Sequence, residues 1–514
     1  MGVASTWGFT VVGVDALPVH IEAHARNGLP GVTIVGLPGA AVREARERIR
    51  SAAASSGLPL PTRRITVNLS PGDIPKEGPG FDLPVALATL DACDHLSPAG
   101  ARAVAAVGEL SLEGNLRPAR GAVSVAEAAG RLGLSLLIVP VEDLAAVSQV
   151  ADLPVVGVRT LGEAVLVLKE RTARERLQIR GKRWLRVRPK SAEGDTTPVE
   201  DMAQVYGRHQ AKRALEIVAA GGHHLLMVGA PGVGKTMLAR RLLGILPPLD
   251  RTEAVEVTRI WSATGLRDVH AGLATARPFR SPHHTASRAA LVGGGVNLRP
   301  GEMSLAHRGV LFMDELPEFA RDALEALRQP LEEGRMVISR RAGTSVFPAE
   351  FTLVGAMNPC PCGYLGHPHK ECSCPAAAVH RYRTRVSGPL LDRIDALVEI
   401  PPLSVAELEA AEPGEASAAI AKRVATARAF ADERKARRTR WGRGGIEEEN
   451  GLNGPATRLL RKALAGHHLG GRGYVRVVRL ARTVADLEES FQVQEEHLSE
   501  ALALRLDQRR VGMR

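Results

Sequence analysis

Aromatic side chains make up only 3% of this 514-residue chain, and it has just five cysteines. With so few rings, the cores have to be packed from Ala, Val and Leu. Five cysteines in a chain this long do not make a disulfide scaffold of the secreted kind. Long apolar runs are missing too, which excludes a helical membrane span. The opening MGVASTWGFTVVGVDALPVH lacks the basic region and apolar core of a signal peptide. A cytoplasmic location with no membrane partner is the expectation. Acidic residues are in deficit, 56 Asp and Glu against 67 Lys and Arg, leaving a formal charge of +11. That excess favours a polyanionic partner, nucleic acid first, although Arg spread over solvated faces gives the same number.

What remains is ordinary globular composition, 45% hydrophobic and 24% charged, in a length that implies two to four domains. Residues 1–168 alternate β-rich runs (Val32–Val35, Arg64–Asn68, Leu136–Pro140) with Ala-rich helical runs such as AAVREARERIRSAAASS, the pattern of an α/β domain. Residues 169–198 are dense in Arg and Lys and close on Ser, Gly, Asp, Thr and Pro, a basic linker. A second α/β block covers 199–403. Residues 404–514 carry Ala, Leu, Glu and Arg at helical spacing, a helical domain with a second basic run, ERKARRTRWGRGG at 433–445, placed in a loop. The fold class expected is therefore α/β multidomain with a helical C-terminal domain.

The strongest local signal is HHLLMVGAPGVGKTMLARRLL at 223–243. Leu225–Val228 reads as a buried strand. Gly229, Ala230, Pro231, Gly232, Val233, Gly234, Lys235 and Thr236 then fit G-x-x-x-x-G-K-[ST] ahead of a helix. The glycines let backbone N–H groups turn inward around phosphate oxygens, Lys235 reaches the β- and γ-phosphates of ATP, and Thr236 ligates Mg²⁺. By contrast TIVGLPGAAVREARERI at 33–49 has glycines without Lys-Ser/Thr and reads as an ordinary strand-to-helix turn. A second strand, Val310–Met313 in RGVLFMDELPEF, ends on Asp314, expected to hold Mg²⁺ through water, and Glu315, expected to polarise the attacking water. A third, FTLVGAMNP at 351–359, ends on Asn358, whose amide can orient that water.

Two residues past Asn358 begins CPCGYLGHPHKECSC. Cys360, Cys362, Cys372 and Cys374 form two Cys-x-Cys pairs able to give one Zn²⁺ four thiolates. The one-residue gap is tighter than the usual C-x₂₋₄-C, His367 and His369 could substitute, and disulfide pairs or four reduced thiols are the competing readings. Cys93 reads as a small core residue.

Taken together these motifs resemble AAA+ ATPases of the magnesium-chelatase-like branch. RPFRSPHHTASRAALVGGGVNLRPGEMSLAHRGVLFMDELPEFARDALEALRQPLEEG at 277–334 and RYRTRVSGPLLDRIDALVEIP resemble the ComM/YifB family, and the likeness runs over about residues 8–505. It implies that Arg393 in LLDRID is an arginine finger reaching a neighbouring subunit's ATP, hence a homo-hexameric ring. It makes Arg472, in GGRGYVRVVRLARTVADLE, a sensor in the helical lid, with Arg476 the alternative. GRMVISRRAGTSVFPAEF at 334–351 reads as a β-hairpin whose Arg340 and Arg341, near the tip, are candidate DNA contacts. His283 and His284 could ligate a metal but read better as interface or channel residues. Through KEGPGFDLPVALATL at 76–90 and VGELSLEGNLRPARGAVSVAEAA at 107–129, residues 8–168 look like the proteolytic domain of Lon-type proteases, an S5-like fold. The family's Ser falls at Gly80 here and its Lys at Val123, so the Ser–Lys chemistry is lost and a platform role is implied.

The function implied is a cytoplasmic, Mg²⁺-dependent DNA motor acting on single-stranded or branched DNA, with branch migration in recombination or transformation as its task. A protein-remodelling ATPase is the competing class. The basic linker and Arg-tipped hairpin suit phosphate better than polypeptide. A chelatase motor inserting Mg²⁺ into a porphyrin is disfavoured by the added N-terminal domain, and a Lon-like peptidase by Gly80 and Val123.

Overall fold

The computed structural model describes residues 3–96, 101–170, 200–266, 272–295, 298–340, 343–403, 414–438, 450–467 and 471–510. Most of the basic linker, Arg341 and residues 439–445 of the second basic run lie outside them.

The N-terminal block is built on a seven-stranded sheet in the order Gly31–Val35, Arg64–Ser70, Asp15–Arg26, Ala4–Val12, Val104–Ala106, Leu136–Pro140, Val155–Val158. The hairpin Ala4–Val12/Asp15–Arg26 is antiparallel, while Ala4–Val12, Val104–Ala106, Leu136–Pro140 and Val155–Val158 run parallel. Helices Ala40–Ser55 and Asp82–Ala92 pack in one core with Ile21, Val67 and Ile138. Helix Ala122–Arg131 shares a second with Phe9, Leu137 and Val139. Alternating burial along Arg64–Ser70 is what a strand with one face on a core requires. Leu136–Pro140 is buried throughout, as a strand with helices over both faces must be. Cys93, closing helix Asp82–Ala92, is half-buried against the first core.

The second block holds a five-stranded sheet ordered Phe279–Arg280, Val310–Met313, Thr352–Met357, Leu225–Val228, Ala396–Glu399, parallel throughout. Its three central strands are buried on nearly every residue, and because all five run parallel, the loops that follow them leave from one end. Helix Arg251–Thr264 starts on a capping box between Asp250 and Glu253 and stops at left-handed Gly265, the usual start and stop chemistry. It docks the N-terminal block: Arg259 pairs with Asp15 at 2.8 Å and Glu127 at 3.2 Å, and the Gly121 N–H donates to the Ser262 carbonyl. The hairpin expected over 334–351 forms from Arg335–Arg340 and Gly343–Pro348, with Arg340 opposite Gly343. Its Phe347 is fully buried in the same core as Val14 of the N-terminal block.

Residues 414–510 contribute helices Ser417–Arg438, Gly454–His467, Gly471–Leu487 and Glu495–Arg510. Val477, Val478, Ala481, Val484 and Ala485 of the third are buried, the 3.6-residue stripe that seats it on the sheet's core. One expectation is corrected. The run 433–445 begins as helix, since Arg434 lies in Ser417–Arg438 and forks onto both Asp486 oxygens at 3.1 Å. Among the described residues no helix is long and apolar enough to cross a membrane.

Candidate active site

Strand Leu225–Val228 delivers the phosphate-binding loop at the carboxyl end of the sheet. Gly232 and Gly234 have φ of +78° and +91°, values that glycine adopts without strain. Gly229 is excluded from bearing a side chain for another reason: a Cβ there would sit 2.5 Å from the Ile400 carbonyl oxygen. Lys235, at the start of helix Lys235–Arg241, folds back into the loop. Its Nζ donates to the Gly229 and Ala230 carbonyls at 2.7 and 3.0 Å and to Asn358 Oδ1 at 3.0 Å. Burial pulls its pKa down, and the nearby Asp314 and Glu315 charges pull the other way. A buried ammonium held by neutral acceptors is one that gains from an incoming polyanion.

Thr236 Oγ1 donates to Asp314 Oδ2 at 2.8 Å. That places a hydroxyl able to ligate Mg²⁺ beside a carboxylate able to hold it through water, so the pair fits a magnesium site. Glu315 follows with φ +51° and its N–H on Asp314 Oδ1, the backbone turn that separates the two carboxylates. Its Oε2 lies 3.2 Å from His284 Nδ1. His284, expected at an interface or channel, stands beside the proposed base within this chain. Strand Phe279–Arg280 pairs with Val310–Met313 and carries His284 to the same end, which no local pattern announces. The His283 ring lies tilted against that of His284, with centroids 4.1 Å apart, and hydrogen-bonds Thr285.

Asn358 stands one residue past strand Thr352–Met357, between the loop strand and the Asp314 strand. The cysteine stretch follows it. The sulfurs of Cys360, Cys362, Cys372 and Cys374 all lie within 4.8 Å of one another. His367 turns to its own backbone, its Nδ1 accepting from the His369 and Lys370 N–H groups.

The two expected arginines meet at the opposite end of the sheet. Arg393 precedes strand Ala396–Glu399, four residues of which, about 13 Å of strand, separate it from the end bearing the loop. It is buried, donates to the Pro389 carbonyl at 2.6 Å and pairs with Glu332 at 2.5 Å. Arg472 reaches the same Glu332 oxygen at 3.0 Å. Neither faces the phosphate loop of its own chain. Arg476 is taken up elsewhere, in an ion pair with buried Asp395. Burial alone would raise the Asp395 pKa, but the hydrogen bond to His223 and the charges of His223, His224 and Arg476 hold it far below the usual range. His224 Nδ1 accepts the Leu353 N–H, and desolvation lowers its pKa to about 4.

The parallel sheet fixes a class. A glycine-rich-loop strand one in from the edge, a neighbouring strand leading to Asn358 and the next leading to Asp314-Glu315 have the arrangement of an AAA+ nucleotide site. Residues 201–408 match the family described as "Magnesium chelatase, subunit ChlI", 21–143 "Subunit ChlI of Mg-chelatase" and 414–505 "Magnesium chelatase, subunit ChlI C-terminal". The chain is 43% identical to YifB of Salmonella typhimurium over 499 residues, covering 96% of this chain and 95% of that one. It is 40% identical to competence protein ComM of Haemophilus influenzae over 507 residues, 98% of each. Likeness to the magnesium-chelatase 38 kDa subunit of Rhodobacter capsulatus is lower, 26% over 193 residues and 34% of this chain. The chain belongs to the ComM/YifB family of magnesium-chelatase-like AAA+ proteins.

Proposed function

We propose that the protein is a Mg²⁺-dependent ATPase whose subunits form a hexameric ring and drive single-stranded or branched DNA through recombination intermediates. The observation that supports ATP hydrolysis most directly is the meeting of Lys235, Thr236, Asp314, Glu315 and Asn358 at one end of the sheet. Lys235 exchanges its carbonyl and Asn358 contacts for β- and γ-phosphate oxygens, which relieves its burial. Thr236 directly and Asp314 through water would hold Mg²⁺, which would supply positive charge against the β- and γ-phosphates. Glu315, released from His284, accepts the proton of the attacking water, and Asn358, released from Lys235, orients that water.

A ring is supported by where Arg393 and Arg472 lie. Both sit at the far end of their own sheet, so a phosphate within their reach belongs to a neighbouring subunit, whose negative charge competes with Glu332 for them. The DNA reading rests on the +11 charge, on the hairpin that carries Arg340 toward its turn, and on kinship with a competence protein. The N-terminal block serves as a Lon-like platform without peptidase chemistry. Among the described residues, none that lines the roughly 590 Å³ cavity beside Gly80 is a Ser, Thr, Cys or Lys.

The test is steady-state ATP hydrolysis with and without single-stranded and branched DNA at two salt concentrations. Stimulation strongest on a junction and weakened by salt is the expected result. Hydrolysis indifferent to every DNA removes the motor reading and moves the assignment to protein remodelling.

A further inference from the structure

Between strand Thr352–Met357 and helix Ala376–Arg383 the chain forms no helix or strand, and Leu365 is left exposed. A segment of this length with so little to bury has no hydrophobic reason to hold one shape. Its four cysteines nevertheless converge. Cys360 Sγ lies 3.4 Å from Cys362 Sγ and 3.6 Å from Cys372 Sγ, and Cys362 and Cys372 are also 3.6 Å apart. With Cys374 included, all stay within 4.8 Å. Four sulfurs around one Zn²⁺ at about 2.3 Å would be about 3.8 Å apart along every edge. Three sulfurs at 3.4–3.6 Å with a fourth within 4.8 Å suit one tetrahedron better than two bonded pairs, whose sulfurs would be about 2.05 Å apart, and all four thiols are free. A backbone donor already serves the cluster, the Cys362 N–H pointing at Cys374 Sγ at 3.4 Å, as charged sulfur requires.

The loop these cysteines close is anchored to the nucleotide site at its start and in its middle. Upstream, Asn358 bonds Lys235, and the next carbonyl, Pro359, accepts from Arg383 Nε at 3.0 Å. In the middle, the turn at Gly363 lies on the phosphate loop: a Cβ there would be 2.5 Å from Pro231 Cδ and 2.7 Å from its Cγ. The cysteine loop is thus packed on Pro231 from outside while Asn358 touches Lys235 from within.

We propose that Cys360, Cys362, Cys372 and Cys374 bind one Zn²⁺ as four thiolates, and that the loop closed by this metal buttresses the phosphate loop at Pro231. Each thiol gives its proton to solvent as the metal binds, leaving a site of net charge −2 with the Arg383 guanidinium beside it. Zinc here is structural, with all four positions filled by protein and none open to substrate. The proposal is independent of whether the ring acts on DNA.

Metal analysis of the full chain purified under reducing conditions should find about one zinc per chain. Exchange for Co²⁺ should give the charge-transfer and ligand-field bands of tetrahedral cobalt–thiolate. A metal-free chain with four titratable thiols, two disulfides, or iron in place of zinc overturns the proposal. The double variant His367→Ala/His369→Ala should keep its zinc, and losing it would refute the four-cysteine ligand set. Cys372→Ser/Cys374→Ser should lose the metal and bind a fluorescent ATP analogue on the order of tenfold more weakly, a change of about 1.4 kcal/mol. Should that variant fail to fold, zinc is stripped from the native chain with a chelator and restored, with analogue binding followed throughout. Unchanged binding in the zinc-free chain refutes the buttress.

Discussion

Gly363→Ala offers a purely steric probe of the contact between the cysteine turn and the phosphate loop. Gly363 has φ +85°, where alanine costs about 1 kcal/mol relative to glycine. That cost falls on stability and has no bearing on ATP. The second cost is local. An alanine Cβ would meet Pro231 Cδ at 2.5 Å, whereas carbon atoms rest at about 3.5–4.0 Å, so either turn or phosphate loop has to move by about 1 Å. Backbone that cradles phosphate tolerates such a shift poorly: misplacement of about 1 Å costs on the order of 10²-fold in rate. Gly366→Ala is the control, because Gly366 has φ +78° with nothing within 4 Å of its Cβ position. Urea denaturation should show a loss of about 1 kcal/mol for Gly366→Ala and about 1–3 kcal/mol more for Gly363→Ala, from the clash. ATPase kinetics should separate them, with kcat/KM falling 10- to 100-fold for Gly363→Ala and hardly at all for Gly366→Ala. Equal kcat/KM values would refute the claim that the turn braces the loop.

Other outcomes follow from the same geometry. Glu315→Gln should bind ATP normally and lose about 10²–10⁴-fold in turnover, measured by analogue binding beside steady-state hydrolysis; wild-type turnover would remove Glu315 as the base. Asp395→Asn leaves Arg476 largely buried without its carboxylate and should cost about 3 kcal/mol, with Arg476→Met in the same chain recovering part of it in urea titrations. His224 has a pKa of about 4 in the folded chain against an ordinary 6.5, so the unfolded chain takes up the proton first. Its contribution is complete above pH 6.5 and is lost as pH falls toward 4, by about 3 kcal/mol at most. In His224→Asn, whose Oδ1 can accept the Leu353 N–H without titrating, that part of the pH dependence of unfolding should disappear.

The nucleotide motifs were legible in the sequence because each is contiguous. A strand, a glycine turn and Lys-Thr occupy neighbouring positions, so backbone geometry alone brings Gly229–Thr236 together. Leu225–Val228 and Val310–Met313 could be bounded to the residue because strands buried on both faces are apolar throughout. The basic run at 433–445 was harder to read, since Arg and Lys suit the end of a helix as well as a loop, and only the Arg434–Asp486 fork settles its first half as helix. Pairwise meetings across the fold were beyond the sequence altogether. His284 reaches Glu315 because strand Phe279–Arg280 lies beside Val310–Met313. Arg393 and Arg472 share Glu332 because helix Gly471–Leu487 packs on the sheet near strand Ala396–Glu399. Gly363 touches Pro231 because Thr352–Met357 pairs with Leu225–Val228. Which residue types can handle phosphate, magnesium and zinc is readable along the chain, since that chemistry is local. Which of them face one another was decided by strand order and helix packing, because residues far apart along the chain become neighbours only through the long-range burial that closes the core.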